Sequence, residues 1–157
     1  MSAEKTGDGS RQQRVAALRH GTVIDHLSPG MALKALEMIG LSEHDAALIG
    51  VNLKSAKAGR KDILKLENME LSEEQIENLA VLGPSASVVY IREYEVVRKV
   101  RVKLPEVLEG VLRCPNPNCI TNHDRVVTRF DVERTSPTQV RCTFCERLIS
   151  EDELVLL

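Results

Sequence analysis

The chain has 157 residues, of which 43% are hydrophobic and 28% are charged, and its net charge at pH 7 is −2. This length suits one ordinary domain or two small ones. The near-neutral charge and the scarcity of aromatic side chains (3%) argue against a general nucleic-acid binder. No apolar run approaches the length of a membrane span, and the polar N-terminus has no secretory signal, so we expect a cytoplasmic protein with reduced thiols.

The first elements along the chain alternate between strand and helix signals. Residues 1–13 are polar and predict a mobile tail. The β-branched run Thr22–Ile24 predicts a strand, and Ser28 and Pro29 predict the N-cap and first residue of a helix that Gly40 ends. The apolar face of this helix has the spacing i, i+3, i+4, i+7 and contains Ala32, Ala35, Leu36 and Ile39.

A second and a third strand are predicted from Ala46 to Leu53 and from Lys61 to Asn68, with a loop over residues 54–60 between them. Side chains of a strand alternate between its two faces. In the third strand this alternation places Leu64 and Leu66 on one face, and Lys61, Ile63, Lys65 and Glu67 on the other.

A second helix begins at a capping box formed by Ser72 and Gln75, and Pro84 closes it. Residues 86–91 predict a fourth strand, and residues 94–102 a further extended segment. The order strand–helix–strand, repeated once, predicts an α+β fold. We expect a ferredoxin-like βαββαβ domain with an antiparallel sheet and both helices on one face.

The chain after residue 103 has a different character. Leu104 and Pro105 predict a short linking helix that ends near Gly110. The remainder is turn-rich and short-stranded, and it contains all four cysteines. We therefore divide the chain into a tail at residues 1–13, an N-terminal domain at 14–103, and a small β-rich, zinc-ribbon-like domain at 104–157.

The four cysteines form two pairs on turn-forming segments, Cys114 with Cys119 and Cys142 with Cys145. This spacing is typical of one Zn²⁺ held by four thiolates, and a closed sulfur shell indicates a structural metal. Two disulfides or four unliganded thiols are the alternatives, and both fit the expected compartment and the paired spacing less well. We expect His123, just after the first pair, to be a loop histidine.

No motif of a known catalytic site is present in the sequence. Asp25 and His26 are adjacent at a strand end, where side chains alternate, so the residues alone favour a turn aspartate beside a surface histidine over an acid–base pair. A basic set could hold phosphates on the helix-free face of the sheet, or it could form a solvated face balanced by Asp62 and Glu67. This set comprises Lys57, Arg60, Lys61, Lys65 and Lys99.

Several motifs together resemble the regulatory chains of aspartate carbamoyltransferase. They are RHGTVIDH at residues 19–26, GRKD at 59–62 with KLEN at 65–68, YEVV at 94–97 with Lys99, CPNPNCI at 114–120, and the pair Cys142 and Cys145. The resemblance covers about residues 14–150, and the order, spacing and two-domain layout of the motifs agree with the family.

The resemblance implies a non-catalytic subunit whose N-terminal domain binds CTP as feedback inhibitor and ATP as activator, with UTP as a further candidate. It implies a homodimer of regulatory chains and a zinc domain docked on the catalytic chain, which acts in pyrimidine synthesis. Asp25 and His26 would contact the base and ribose region, Lys65 the ribose or base edge, and Lys99 the triphosphate. By position the resemblance also assigns Val15, Ala16, Leu18, Val89, Ile91, Tyr94 and Val96 to the effector pocket, with Lys61 nearby.

Two positions depart from the better-known members of this family, which have asparagine where Val89 stands and an acidic residue where Ala16 stands. Valine cannot donate a hydrogen bond, so these departures bear on the affinity for effectors and on the choice among CTP, UTP and ATP. Two other functions remain open from the residues. One is a zinc ribbon associated with nucleic acid, and the other is a small enzyme that uses Asp25, His26 and the lysines.

Overall fold

The computed structural model describes residues 17–57 and 59–157. The expected tail and two predicted pocket residues, Val15 and Ala16, lie outside the described residues. The N-terminal domain contains β1 (Gly21–Leu27), α1 (Ala32–Ile39), β2 (Ala47–Ser55), β3 (Gly59–Glu67), α2 (Glu73–Leu82), β4 (Ser87–Arg92) and β5 (Glu95–Arg101).

These strands form one antiparallel sheet in the order β2-β3-β1-β4-β5. The first four strands and the two helices have the ferredoxin-like arrangement, so the predicted fold class is confirmed. The extended segment at 94–102 forms β5, which adds a strand beside β4 through the two-residue turn Glu93-Tyr94. Both turn residues have positive φ, as a tight hairpin of this length requires.

The hydrophobic core of this domain lies between the sheet and the helices. Leu64 and Leu66 of β3 are fully buried, as the alternation predicts. They pack with Ile24 of β1, Ala35 of α1 and Leu79 of α2 in one cluster. In the described part of the chain the other face of the sheet carries no helix, and Lys65, Val89 and Lys99 of the predicted effector set lie on it.

The predicted start of α1 is wrong. The helix begins at Ala32, its N-cap is Met31, and no side chain of the N-cap residue accepts a helix hydrogen bond. The acceptor comes from another element, because the Asp62 carboxylate of β3 accepts a hydrogen bond from the Ala32 backbone N at 3.0 Å. Ser28 and Pro29 therefore belong to the connection between β1 and α1.

The start of α2 matches the prediction. Ser72 is the N-cap, its Oγ accepts a hydrogen bond from the Gln75 backbone N at 3.2 Å, and Gln75 Oε1 accepts one from the Ser72 N at 2.9 Å. Gly83 caps the C-terminal end of the helix through its N–H, which bonds to the Leu79 carbonyl. This local pairing needs no tertiary partner, and that is why the sequence predicts it well.

The linking helix predicted for residues 104–110 is also wrong, because the segment contains a strand. Its residues pair with the strand Arg129–Thr135 through Leu108 opposite Phe130, and tertiary pairing outweighs the helix signal of such a short segment. The C-terminal domain consists of β6 (Val107–Glu109), β7 (Leu112–Arg113), a 3₁₀ turn (Ile120–Asn122), β8 (Arg129–Thr135), β9 (Thr138–Cys142), β10 (Leu148–Ser150), a second 3₁₀ turn (Glu151–Glu153) and β11 (Val155–Leu156). The strands form sheets in the orders β10-β9-β8-β6 and β11-β7.

The two domains share apolar contacts. Val81 of α2 is fully buried, and it belongs to the cluster of the C-terminal domain together with Phe130 and Val140. Leu104 and Leu156 pack against both clusters. The Nζ of Lys34 in α1 adds a polar contact, donating to the carbonyl of Leu154 at 3.0 Å.

Candidate functional site

The four cysteines converge at one end of the C-terminal domain. Cys114 follows β7, and Cys119 precedes the 3₁₀ turn, whose Asn122 amide donates to the carbonyls of Cys114 and Asn116 at 2.9 and 2.7 Å. Cys142 ends β9, and the Glu146 N–H donates to its carbonyl at 2.8 Å, which folds the chain so that Cys145 faces it. Two turns and two strand ends thus bring the four thiols together.

The spacing of the sulfur atoms fits one tetrahedral metal ion. All four Sγ atoms lie within 4.8 Å of one another, with 3.6 Å between Cys114 and Cys145 and 3.8 Å between Cys119 and Cys142. Four sulfurs around Zn²⁺ at its usual bond length lie about 3.8 Å apart, whereas a disulfide would need about 2 Å. The donor set therefore fits Zn²⁺ in a closed, structural site.

Two of the thiols have strongly shifted acidities. Burial raises the pKa of Cys114 to about 12. Burial also favours a higher pKa for Cys145, but hydrogen bonds from the Asn116 side chain and the Arg147 backbone outweigh this effect and lower the pKa of Cys145 to about 7. Metal binding must displace protons from such thiols, so the affinity for zinc falls as the pH falls.

His123 is exposed, and one of its ring nitrogens lies 2.6 Å from the Pro117 carbonyl oxygen. It stands outside the sulfur cluster, as expected of a loop histidine. Thr121 instead supports the cluster, since its hydroxyl donates to Cys119 Sγ at 3.2 Å. Such contacts to a ligand orient it and tune the metal.

Several predicted effector residues lie in one row across the helix-free face of the sheet. In the strand register Lys65 is opposite Val23, Val23 is opposite Val89, and Val89 is opposite Lys99. The row spans three strand spacings, or about 14 Å between its terminal lysines. Ile91 and Val96 are opposite each other next to this row. The face therefore has a lysine at each end and an apolar centre.

Asp25 and His26 are in contact, contrary to the expectation that they point apart. The pairing of β1 with β3 shifts register between Ile24 and Leu27, and His26 has φ +60 within this bulge. The distance from His26 Nδ1 to Asp25 Oδ2 is 3.4 Å, and Lys61 Nζ lies 2.7 Å from Asp25 Oδ1. A bulge places consecutive side chains on one side of a sheet, which period-two alternation does not predict.

A cavity of about 280 Å³ lies at the Lys65 end of the row, and it is also lined by Leu18 and Tyr94. Burial lowers the pKa of Lys65, because desolvation disfavours its charged form. An anion bound near Lys65 would favour the charged form. The structure thus brings together three of the predicted effector residues at this end of the face.

A larger cavity of about 580 Å³ lies at the Lys99 end and extends to the C-terminal domain. It is lined by His26 and by Ser136 and Glu151 of that domain. Its cationic side chains come from Lys57, Arg60, Lys61, Lys99, Arg101 and Lys103.

Sequence reasoning missed two features of this site. Arg101 lies opposite Ser87, which in turn lies opposite Asp25, so assigning β5 as a sheet strand would have placed it beside the effector residues. The alternative in which Asp62 helps to balance the lysines on a solvated face is wrong for that residue, because Asp62 is completely buried on the opposite face. Its position follows from alternation with Leu64 and Leu66.

Three arginines of the C-terminal domain are paired with carboxylates. Arg129 pairs with Glu109 at 2.9 Å, and Arg141 pairs with Glu133 at 2.8 Å. Arg147 pairs with Glu153 at 2.7 Å. Phosphate binding needs cations that are not already neutralised, so these pairs disfavour the nucleic-acid alternative.

The fold and the two sites define a class of protein. A ferredoxin-like domain with a basic, helix-free sheet face is joined to a β-rich domain with a closed sulfur shell, and such a shell leaves no position for a substrate. This combination describes a two-domain protein whose metal site is structural rather than catalytic. None of the helices in residues 17–57 and 59–157 has the length and apolar character that a membrane crossing requires.

Comparison with known proteins identifies the family. The family model described as "aspartate carbamoyltransferase regulatory chain, allosteric domain" matches residues 13–103, and the model for the metal binding domain of the same chain matches residues 106–155. Curated regulatory chains from Pyrococcus horikoshii and Methanopyrus kandleri are 47% and 44% identical over 145 and 144 residues, which cover 90% of this chain and 95% and 92% of theirs. The chain belongs to the family of aspartate carbamoyltransferase regulatory chains, and it is a non-catalytic chain.

Proposed function

We propose that this chain binds CTP and ATP on the helix-free face of its N-terminal sheet and passes the signal to a catalytic chain of aspartate carbamoyltransferase in the cytoplasm. The observation that carries the proposal is the row from Lys65 to Lys99, with the contact of Lys61, Asp25 and His26 beside it. An extended nucleoside triphosphate has the length of this row, and its charge is complementary to the lysines.

The two ends of the face suit different parts of the nucleotide. The small cavity beside Leu18, Lys65 and Tyr94 offers apolar walls and one ammonium group, which suits a base and its ribose. The larger, cationic cavity at Lys99 suits the triphosphate. His26 lines this second cavity, and Asp25 contacts His26 and Lys61. We therefore place Asp25 and His26 at the phosphate end, with Asp25 orienting Lys61.

Val89 lies at the centre of the row and offers no hydrogen bond to the ribose or the phosphates. Discrimination between nucleotides then depends on the groups at the two ends. We propose that CTP and ATP bind with more similar affinities here than a pocket with a polar residue at this position would allow.

Replacing Lys99 with alanine tests the site. We expect the Kd for CTP and for ATP to rise about 10- to 100-fold, because a charge-assisted contact to the triphosphate is lost. Isothermal titration of the zinc-loaded full chain measures this directly. Arg98→Ala is the matched control, since Arg98 is the neighbouring residue of β5 and lies over the Tyr90 ring on the opposite face. Equal losses in both variants, or none in Lys99→Ala, would contradict the proposed site.

We further propose that the C-terminal domain docks on the catalytic chain. Ile120 follows Cys119, Phe144 lies between Cys142 and Cys145, and both side chains are exposed. These apolar groups are held in place by the ligand turns, so the metal would stabilise the docking surface without contacting the partner. Each effector then shifts the catalytic equilibrium only by its differential affinity for the two quaternary states.

A homodimer of regulatory chains completes the proposal. Both edge strands expose apolar side chains, Leu48 and Val51 on β2 and Val96 and Val97 on β5. The β5 edge also carries Arg98, Lys99 and Arg101, and these like charges oppose pairing with a second copy, so we propose pairing through β2. We expect the zinc-loaded chain to sediment with the mass of two chains. Val51→Lys should shift it towards one chain, and Val97→Lys on β5 should leave it unchanged. A monomeric wild-type chain at micromolar concentration would rule out this dimer.

A further inference from the structure

Asp62 is a carboxylate buried completely beneath the sheet. Both of its oxygens accept hydrogen bonds from backbone groups of other elements. Oδ2 accepts from the Ala32 N at 3.0 Å, and Oδ1 accepts from the Asn52 N at 2.8 Å. A buried carboxylate with two N–H donors is costly to displace, because each lost bond leaves an unsatisfied group away from water.

The two donors lie at structurally irregular positions. Ala32 is the first residue of α1, whose N-cap residue supplies no side-chain acceptor. Asn52 has φ +56 and lies where the pairing of β2 with β3 shifts register. The bulge of β1 adjoins the same point, since Leu27 is the residue opposite Asp62. The Asp62 carboxylate therefore joins the β2 bulge to the start of α1, and the strand that carries it is paired with the end of the β1 bulge.

The β1 bulge carries residues of the proposed effector site. Asp25 and His26 lie within it, and Lys61, which precedes Asp62, contacts Asp25 on the helix-free face at 2.7 Å. Consecutive residues of a strand face opposite sides of the sheet. The hydrogen bonds of Asp62 on the helix-covered face therefore fix the backbone of β3 at the point where Lys61 projects from the helix-free face.

Helix α1 continues from this point to the C-terminal domain. Two residues after its first residue, the Lys34 Nζ donates to the Leu154 carbonyl at 3.0 Å. Leu154 is buried in the cluster of the C-terminal domain and precedes β11, which pairs with β7 immediately before Cys114. The helix is therefore fixed at its start by the effector-bearing strand and along its side by the metal-binding domain.

We propose that Asp62 is a positioning residue of the effector face, and that α1, held by Asp62 and by Lys34, connects that face with the metal-binding domain. This inference rests on the proposed function. A displacement of the bulge on nucleotide binding would be transmitted through the Asp62 hydrogen bonds to α1, which moves as a rigid element. The connection is tested by coupling measurements, since spatial continuity alone establishes no coupling.

The first test is Asp62→Asn in the zinc-loaded full chain. An asparagine offers one acceptor oxygen to two N–H donors, and its amide group would face one of them. We expect the Kd for CTP and ATP to rise about tenfold at a temperature where circular dichroism shows a folded chain. Asp45→Asn is the control, because Asp45 also accepts bonds from a backbone N–H and a hydroxyl, both of Ser42, but lies in an exposed loop. A lower melting temperature with an unchanged Kd would assign Asp62 a structural role only and would overturn its proposed role as a positioning residue.

The second test is Lys34→Met in the complex with catalytic chains. We expect nucleotide affinity to stay at the wild-type value, while the effect of the nucleotide on carbamoyl transfer falls about two- to tenfold. Glu37→Gln, one turn further along the exposed side of α1, should respond like the wild type. An undiminished response in Lys34→Met would overturn the role of α1.

The failures are distinguishable. If the wild-type chain binds neither nucleotide, the proposed function fails and this inference falls with it. If the wild-type chain binds nucleotide, and Asp62→Asn and Lys34→Met behave like the wild type, the inference alone is wrong.

Discussion

Removal of zinc should unfold the C-terminal domain and release the chain from its catalytic partner. The four cysteines connect two turns and two strand ends, and the rest of the small core consists of Phe130 and a few aliphatic side chains such as Leu112, Val140 and Ile149. Binding of structural zinc contributes on the order of 10 kcal/mol to the folding of such small domains. We expect the loss of that contribution to exceed what the remaining core supplies.

The measurement combines a thiol-reactive mercurial and a chelator with size-exclusion chromatography of the complex. Regulatory chains should elute separately from catalytic chains after zinc loss, and they should reassociate when the mercurial is removed and zinc is restored. Cys114→Ser should have the same effect without any reagent, whereas His123→Ala should leave the complex intact. A complex that stays assembled after complete zinc loss would refute the stabilising role of the metal.

Gly21→Ala should cause a larger loss of stability than alanine at the other described glycines of the N-terminal domain. Gly21 has φ +142, and a Cβ at this position would overlap the backbone carbonyl oxygen of Leu66 on the neighbouring strand. A backbone atom of a central strand cannot move aside without breaking the β1–β3 pairing. We expect a loss of about 3–4 kcal/mol in the free energy of unfolding, with a melting temperature lower by about 10 °C.

Gly30→Ala is the matched control. Gly30 also has a positive φ, of +84, but a Cβ there would meet no atom within 4 Å. Only the backbone strain remains, and we expect a loss of about 1 kcal/mol. Urea unfolding followed by circular dichroism separates the two variants. Similar losses in both would show that the contact with Leu66 is relieved by a small shift of the strands.

Features that depend on neighbouring residues of the chain were predictable. The alternation of Leu64 and Leu66 gave their burial, the Ser72–Gln75 pair gave the start of α2, and the paired cysteines gave the metal centre. Each of these rests on a period or a spacing that local geometry enforces. The fold class followed from the order of such elements.

Features that depend on distant partners were not predictable. The start of α1 is set by Asp62, thirty residues later, and the strand at residues 107–109 is set by its pairing with β8. The contact of Asp25 with His26 depends on the β1 bulge, and the two-residue alternation of side chains along a strand does not predict a bulge. The row from Lys65 to Lys99 likewise required the register of four strands, which the sequence does not state.

The shared position of Val81 has a consequence for dissection of the chain. The family models divide the protein neatly, with one ending at residue 103 and the next beginning at residue 106. The packing does not follow this division. Val81 of the first matched range is buried in the hydrophobic core of the second, and Leu104 and Leu156 pack against both cores. A fragment that ends between the two matched ranges would expose to solvent the apolar surface around Val81 of α2. Low solubility of such a fragment would then result from this newly exposed surface and would say nothing about the intact chain.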